Sequence, residues 1–183
     1  SLAAGAGLAL GGLAPAFAQG APITKPIPST GERLPVIGIG TNAFGVTDAA
    51  DIAARKEVLR QLPLLGGKVI DTARGYGRSE EVIGQLLAEL GNRDALFLAT
   101  KTPMAGNPAE GKALLDESFR RLRTKRIDLL QIHNFHGLEE LLPLFAEYKQ
   151  AKRIRYIGIT TSTPDQYPQM LAAMNRHKLD FIQ

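Results

Sequence analysis

The chain contains no cysteine. That excludes a disulfide framework, a thiolate zinc site and a cysteine nucleophile. It has only three histidines. His133 and His136 have a spacing that suits a metal, but no third histidine lies close to them in sequence, so no metal site is expected. Charge is missing from one region altogether: not one of the 22 basic or 18 acidic residues precedes Lys25. Beyond that region no low-complexity segment or short internal repeat appears. With 44% hydrophobic and 22% charged residues, the 183-residue composition is that of a globular protein with one sizeable core, neither disordered nor fibrous.

The uncharged start sets its own expectation. Residues 1–18 are rich in Gly, Ala and Leu and close on Ala16-Phe17-Ala18. This is the hydrophobic region and small-x-small cleavage site of an export signal, whose basic start would precede Ser1. A membrane anchor fits less well, because the run is short and glycine-rich for a span of about 20 residues. A periplasmic location is expected, with weak hydrophobicity favouring twin-arginine export and with no stable membrane association after cleavage. Residues 19–33 read as a linker and small hairpin turning at Ser29-Thr30-Gly31, kept out of a central sheet by Pro26 and Pro28.

From residue 34 to 183 the pattern changes to alternation. Apolar runs at 36–40, 68–72, 96–100, 127–132, 154–159 and 181–183 suit parallel strands buried on both faces. Helical stripes lie between them. Ile52, Val58, Leu59 and Leu62 form the first, and Val82, Ile83, Leu86, Leu87 and Leu90 the second. Leu115, Phe119 and Leu122 form the third, and Leu138, Leu141, Leu142 and Phe145 the fourth. Asn107-Pro108 opens the third helix, and Thr163-Pro164-Asp165-Gln166 reads as a capping box opening the fifth. Strand starts recur about every 29 residues, the period of an α/β fold that is either an open doubly wound sheet or a (β/α)8 TIM barrel. Gly38-x-Gly40 is only half of a dinucleotide-binding GxGxxG motif. Asp71, Lys101 and His133, by contrast, fall at the C-terminal ends of three consecutive strands, which ring a single mouth in a barrel. The barrel is therefore the expected fold, present as about five βα units and the start of a sixth strand against roughly 250 residues for a whole one.

Each polar residue has an ordinary reading: Asp71 as a turn cap, Tyr76 as a loop aromatic, Lys101 as a snorkelling cation, His133 as a hydrogen-bonded ring. Taken together they form a chemical group. A phenol with a pKa near 10 is a poor acid at neutral pH. A neighbouring ammonium favours the phenolate, and a carboxylate keeps that ammonium charged and placed. Such a tyrosine can protonate a carbonyl oxygen that the imidazole orients, while a hydride reaches the carbon. The basic run 119–126 lies at a predicted helix C-terminus and lacks interleaved aromatics, so no nucleic-acid partner is expected. His177 reads as a surface helix residue.

Five blocks make the sequence resemble the aldo/keto reductase family, here as a bacterial, exported member. They are L-P-V-I-G-I-G-T (34–41), D-T-A-R-G-Y-G-R-S-E-E-V-I-G (71–84), A-T-K (99–101), R-I-D-L-L-Q-I-H-N (126–134) and R-I-R-Y-I-G-I-T (153–160). The resemblance implies a catalytic tetrad of Asp71, Tyr76, Lys101 and His133, with Tyr76 as proton donor. It also implies a small-molecule aldehyde or ketone substrate, reduced with NADPH, NADH being the other possible donor. Asn42, Tyr76 and His133 then line the substrate site. Thr41, Asp71, Thr160, Thr161 and Gln183 contact the cofactor, the threonine pair standing where the family usually has Ser-Asn. Asn42 stands where many members carry an aromatic. Two other readings remain: a barrel that binds cofactor without turnover, and an aldolase using Lys101 as a Schiff base. A chain of this length is itself expected to be inactive, to bind NADPH weakly and to expose unpaired strand edges.

Overall fold

A computed structural model describes residues 22–102 and 107–183; the expected signal segment, 1–18, lies outside them. A two-stranded antiparallel hairpin comes first, β1 (Thr24–Pro26) and β2 (Arg33–Pro35). A six-stranded parallel sheet follows: β3 (Gly38–Gly40), β4 (Val69–Asp71), β5 (Phe97–Thr102), β6 (Ile127–Ile132), β7 (Ile154–Ile159) and β8 (Phe181–Ile182). Between successive strands run α1 (Ala49–Leu64), α2 (Ser79–Leu90), α3 (Pro108–Arg121), α4 (Leu138–Gln150) and α5 (Tyr167–Arg176). Each strand pairs with its immediate successor, so every connection is a βαβ crossover. Among the described residues no helix is long and apolar enough to cross a membrane.

Strand alternation sorts the core into two layers. Ile70, Leu98, Leu130, Ile157 and Ile159 face the helices and pack with Leu59, Ile83, Leu86, Leu115, Leu141 and Phe145. Phe97, Ala99, Leu129 and Tyr156 point the other way and meet Ile27 and Leu34 of the hairpin. The inner layer shows that the sheet curls. Phe97 on β5 and Phe181 on β8 are three strands apart, roughly 14 Å in a flat sheet. Their ring centroids nevertheless lie 5.9 Å apart, and both rings touch Tyr156 of β7. The hairpin sits inside that curl at the N-terminal ends of the strands.

Some boundaries differ from the sequence pattern. The first strand shortens to Gly38–Gly40 because Val36 instead donates its N–H to Ile23 and extends the hairpin's pairing. Fully flanked β5 extends through Thr102. Val58 belongs to no buried stripe and stands 44% exposed, leaving Leu59 as the buried residue of α1. Asn107 caps α3 as expected, accepting from the Glu110 N–H at 3.0 Å. The capping box at 163–166 does not form: residues 164–166 make a 3-10 turn, and the Gln166 amide oxygen accepts from Thr161 rather than from the Thr163 N–H. His177, expected on the surface, is partly buried: its side chain is 18% exposed, with Nε2 3.3 Å from Glu139.

Helices α2 and α3 touch through Gly84. A methyl added there would lie 2.1 Å from the Arg121 carbonyl oxygen and 2.8 Å from Leu122 Cα, so the two backbones would have to part. In an open helix Gly→Ala stabilises by about 1 kcal/mol. Here Gly84→Ala is expected to destabilise by about 1–3 kcal/mol. The sign of the change in denaturant midpoint decides between steric contact and helix propensity.

Candidate active site

β4, β5 and β6 end side by side, and their pairing sets the depth of each polar residue. Asp71, last in β4, pairs with Ala99, so Lys101 lies one inward-facing position further along β5. Lys101 in turn pairs with Gln131 of β6, and His133 follows that strand directly. Tyr76 comes from the loop between β4 and α2.

Lys101 is 3% exposed, and its Nζ donates to Asp71 Oδ2 at 2.6 Å and to the Thr72 carbonyl at 3.0 Å. Held between a carboxylate and a carbonyl, the amine is placed as an ammonium donor and not as the free nucleophile that an aldolase lysine needs. The same Nζ lies 5.2 Å from the centroid of the Tyr76 ring, within cation–π range. The Tyr76 and His133 rings meet edge to face, 6.2 Å apart. Among the described residues no hydrogen bond joins the Tyr76 hydroxyl to Lys101 or His133. The four expected residues are thus together, with the phenol free to turn toward a substrate.

Burial holds the His133 pKa below its ordinary value, helped by the nearby charge of Lys101 and by His136; Asp71 opposes them weakly. A neutral imidazole can donate one hydrogen bond to a carbonyl oxygen without carrying charge into the mouth. The shift also has a stability consequence. Below the ordinary value of 6.5 the unfolded chain takes up a proton that the folded chain refuses, so stability falls as pH drops through that window. Well above it both states are neutral and the effect vanishes. Between about pH 7.5 and about pH 5.5, thermal unfolding of His133→Gln is expected to depend less on pH than that of the native sequence. Parallel curves would contradict the assignment.

The remaining expected residues divide by what already occupies them. Asn42 is exposed and shares a recess of about 390 Å³ with Tyr76, Gly75 and Gly77. Gln183 reaches Asp71 Oδ2 with its Nε2 at 3.3 Å. Thr41 points inward: its hydroxyl donates to the Asp71 carbonyl at 2.9 Å. The buried Thr160 hydroxyl accepts from the Asn134 N–H at 3.1 Å, and the Thr161 hydroxyl bonds Gln166 at 2.5 Å. Thr160 therefore lies beside His133 and Thr161 beside Gln183, but both hydroxyls are engaged within the chain. Among the described residues no three His, Asp or Glu side chains gather as a metal site.

Three features were not expected. Gln131 Nε2 bonds Gln183 Oε1 at 3.4 Å, adding an amide to the mouth; its place two residues before His133, on the inward face, was the signal. Glu80 is buried, and that burial pushes its carboxyl above the usual range, against hydrogen bonds from Thr100 at 2.7 Å and Ser118 at 3.1 Å. Behind His133, Asn134 and Phe135 adopt left-handed φ values of 52° and 64°. An aromatic residue rarely takes that conformation, and such local strain gathers at functional sites.

Comparison with known proteins places this arrangement. Residues 36–183 match the sequence profile described as the aldo/keto reductase family. The aldo-keto reductase YhdN of Bacillus subtilis is 32% identical over 169 residues, which cover 84% of this chain and 51% of that protein. The methylglyoxal reductase DkgB of Yersinia pestis is 34% identical over 154 residues, covering 80% and 55%. Among solved structures, the holo form of an aldo-keto reductase from Bacillus halodurans superimposes with a TM-score of 0.73 at 25% identity, covering 87% of this chain and 56% of that one. An aldo/keto reductase from Klebsiella pneumoniae in complex with NADP and acetate gives a TM-score of 0.63 at 28% identity, covering 74% and 48%. The chain thus spans about half the length of the relatives it matches, and its curled sheet is part of their (β/α)8 barrel.

Proposed function

Since this chain belongs to the aldo/keto reductase family, we propose that its protein reduces a small aldehyde or ketone to the alcohol, with NADPH as hydride donor and Tyr76 as proton donor. The observation that carries this reading is the Asp71–Lys101 ion pair set under the Tyr76 ring, with His133 at its edge. A solved relative in complex with NADP supports the choice of cofactor. The donor set of the mouth suits a carboxamide through Gln183, whose amide has a second N–H to give and whose backbone carbonyl is fixed by the Thr161 N–H at 2.9 Å. The bound cofactor supplies the hydride.

The chain's own residues handle the oxygen. Asp71 holds the Lys101 amine in place. Lys101 presents its charge to the Tyr76 ring, which stabilises the phenolate left after proton transfer. His133, neutral, orients the carbonyl by donating a hydrogen bond. As the carbon accepts hydride, Tyr76 delivers its proton to the oxygen. Asn42, across the recess from Tyr76, contacts the substituent of the carbonyl. The test is the rate of NADPH oxidation by the full-length protein before and after Tyr76→Phe. The apolar segment 1–18 supports export in the same reading; the mature periplasmic protein would begin at Gln19.

A further inference from the structure

The loop that carries Tyr76 leaves β4 at Thr72 and enters α2 at Ser79. At its apex the Tyr76 N–H donates to the Ala73 carbonyl at 3.0 Å and the Tyr76 carbonyl accepts from the Ser79 N–H at 3.0 Å. Tyr76 lies between Gly75 and Gly77, a Cβ added to either glycine would meet nothing within 4 Å, and Gly77 takes a φ of 57°. The base of the loop is held firmly. Thr72 and Ser79 are both 0% exposed, and their hydroxyls lie 3.1 Å apart, closing the loop on itself across seven residues. Ser79 Oγ also donates to the Thr41 carbonyl at 2.8 Å. Each hydroxyl has one proton, so the direction is fixed: Thr72 donates to Ser79, and Ser79 donates to Thr41. Thr41 in turn donates to the Asp71 carbonyl. One buried chain of hydroxyls therefore joins the ends of β3 and β4 to the first residue of α2. Its members touch the catalytic group from behind, because Thr72 follows Asp71 and its carbonyl accepts from Lys101 Nζ.

We propose that Thr72 and Ser79 are a positioning pair for the proton donor: their buried hydroxyl bond clasps the base of the loop and sets the distance from Tyr76 to Lys101. This rests on Tyr76 being the donor. The clasp reaches the donor directly, because the Tyr76 carbonyl is anchored on the N–H of Ser79, while the phenol hydroxyl has no partner of its own among the described residues. A displacement of the donor by about 1 Å is enough to cost about a hundredfold in rate.

Thr72→Val keeps the side chain's shape and removes its hydroxyl; Ser79→Ala removes the hub. In the full-length protein both are expected to lower kcat about tenfold or more, with KM and the NADPH Kd changed by no more than about twofold. Two readouts separate positioning from simple stability. The pH profile of kcat is expected to shift as Tyr76 moves relative to Lys101, and the double variant is expected to be no slower than Ser79→Ala, since both changes break one bond. Lower melting points with an unchanged kcat per active molecule and an unchanged pH profile would overturn the clasp, and so would additive losses in the double variant. If Ser79→Ala fails to fold, Thr72→Val decides by its own kcat and pH profile. Tyr76→Phe keeps the two readings apart. An inactive Tyr76→Phe beside fully active clasp variants refutes the clasp alone, whereas native activity in Tyr76→Phe refutes the donor and the clasp together.

Discussion

Tyr76→Phe is expected to slow carbonyl reduction by about 10²–10⁴-fold, the range for removing a general acid, while NADPH binds as before. Phenylalanine keeps the ring that lies 5.2 Å from Lys101 Nζ and against His133, so packing of the mouth is retained. Only the proton is lost. None of the neighbours can replace it efficiently. The Lys101 ammonium is committed to Asp71 and to the Thr72 carbonyl, and His133 is held neutral by its burial. The loss should therefore fall on kcat, with KM moving little, since the phenolic hydroxyl acts chiefly in the transition state. Single-turnover kinetics with a small aldehyde, together with cofactor fluorescence for binding, separate these outcomes. A Tyr76→Phe variant that turns over at the native rate would leave the tetrad without its acid.

Asp128→Ala is expected to cause the largest loss of stability and almost no change in rate per folded molecule. Asp128 is 1% exposed, at the end of the barrel opposite the catalytic mouth. Its Oδ2 accepts from the Leu98 N–H at 2.8 Å and from Arg93 at 2.7 Å, and its Oδ1 accepts from Arg155 at 2.9 Å. Arg155 continues to Glu32 of the hairpin, which also receives the Tyr156 hydroxyl. One carboxylate thus links β5, β6, β7 and the segment that plugs the sheet. Alanine would strand a buried amide and two guanidinium groups. Removing one partner of a buried pair costs about 3–5 kcal/mol, and the partial exposure of Arg155 and Arg93 places this case near the lower end. A cost of about 3 kcal/mol corresponds to a Tm lowered by about 10 °C. A Tm within about 2 °C of the native value would show that the network is already solvated.

The strand–helix rhythm and the residues of the mouth were legible because they depend on order along the chain. Lys101 closes an apolar run, and strand ends gathered Asp71, Lys101 and His133 into one ring; the inward face of Lys101 came only with the pairing of β5. Periodicity names a face and never a partner, and that is where expectation failed. Thr163 and Gln166 have the spacing of a capping box, but Thr161 competes successfully for the Gln166 amide. Val58 reads as part of a helical stripe, but its neighbour Leu59 takes the buried face and leaves Val58 exposed. Ser79 reads as a residue at a helix start; its hydroxyl turns inward to Thr72 and Thr41, which only the parallel register of β3 and β4 brings within reach. The curl follows from aromatic contacts across three strands, a distance no local pattern encodes.

The central chemical event is transfer of hydride to a carbonyl carbon with a proton from Tyr76. The most direct measurement uses the full-length protein, a small aldehyde, and NADPH deuterated at its transferable position, with mass spectrometry of the alcohol. The expected result is one deuterium bound to carbon in each alcohol molecule from the native protein and almost no alcohol from Tyr76→Phe. Alcohol lacking the label, or labelled alcohol formed at the native rate by Tyr76→Phe, would contradict it.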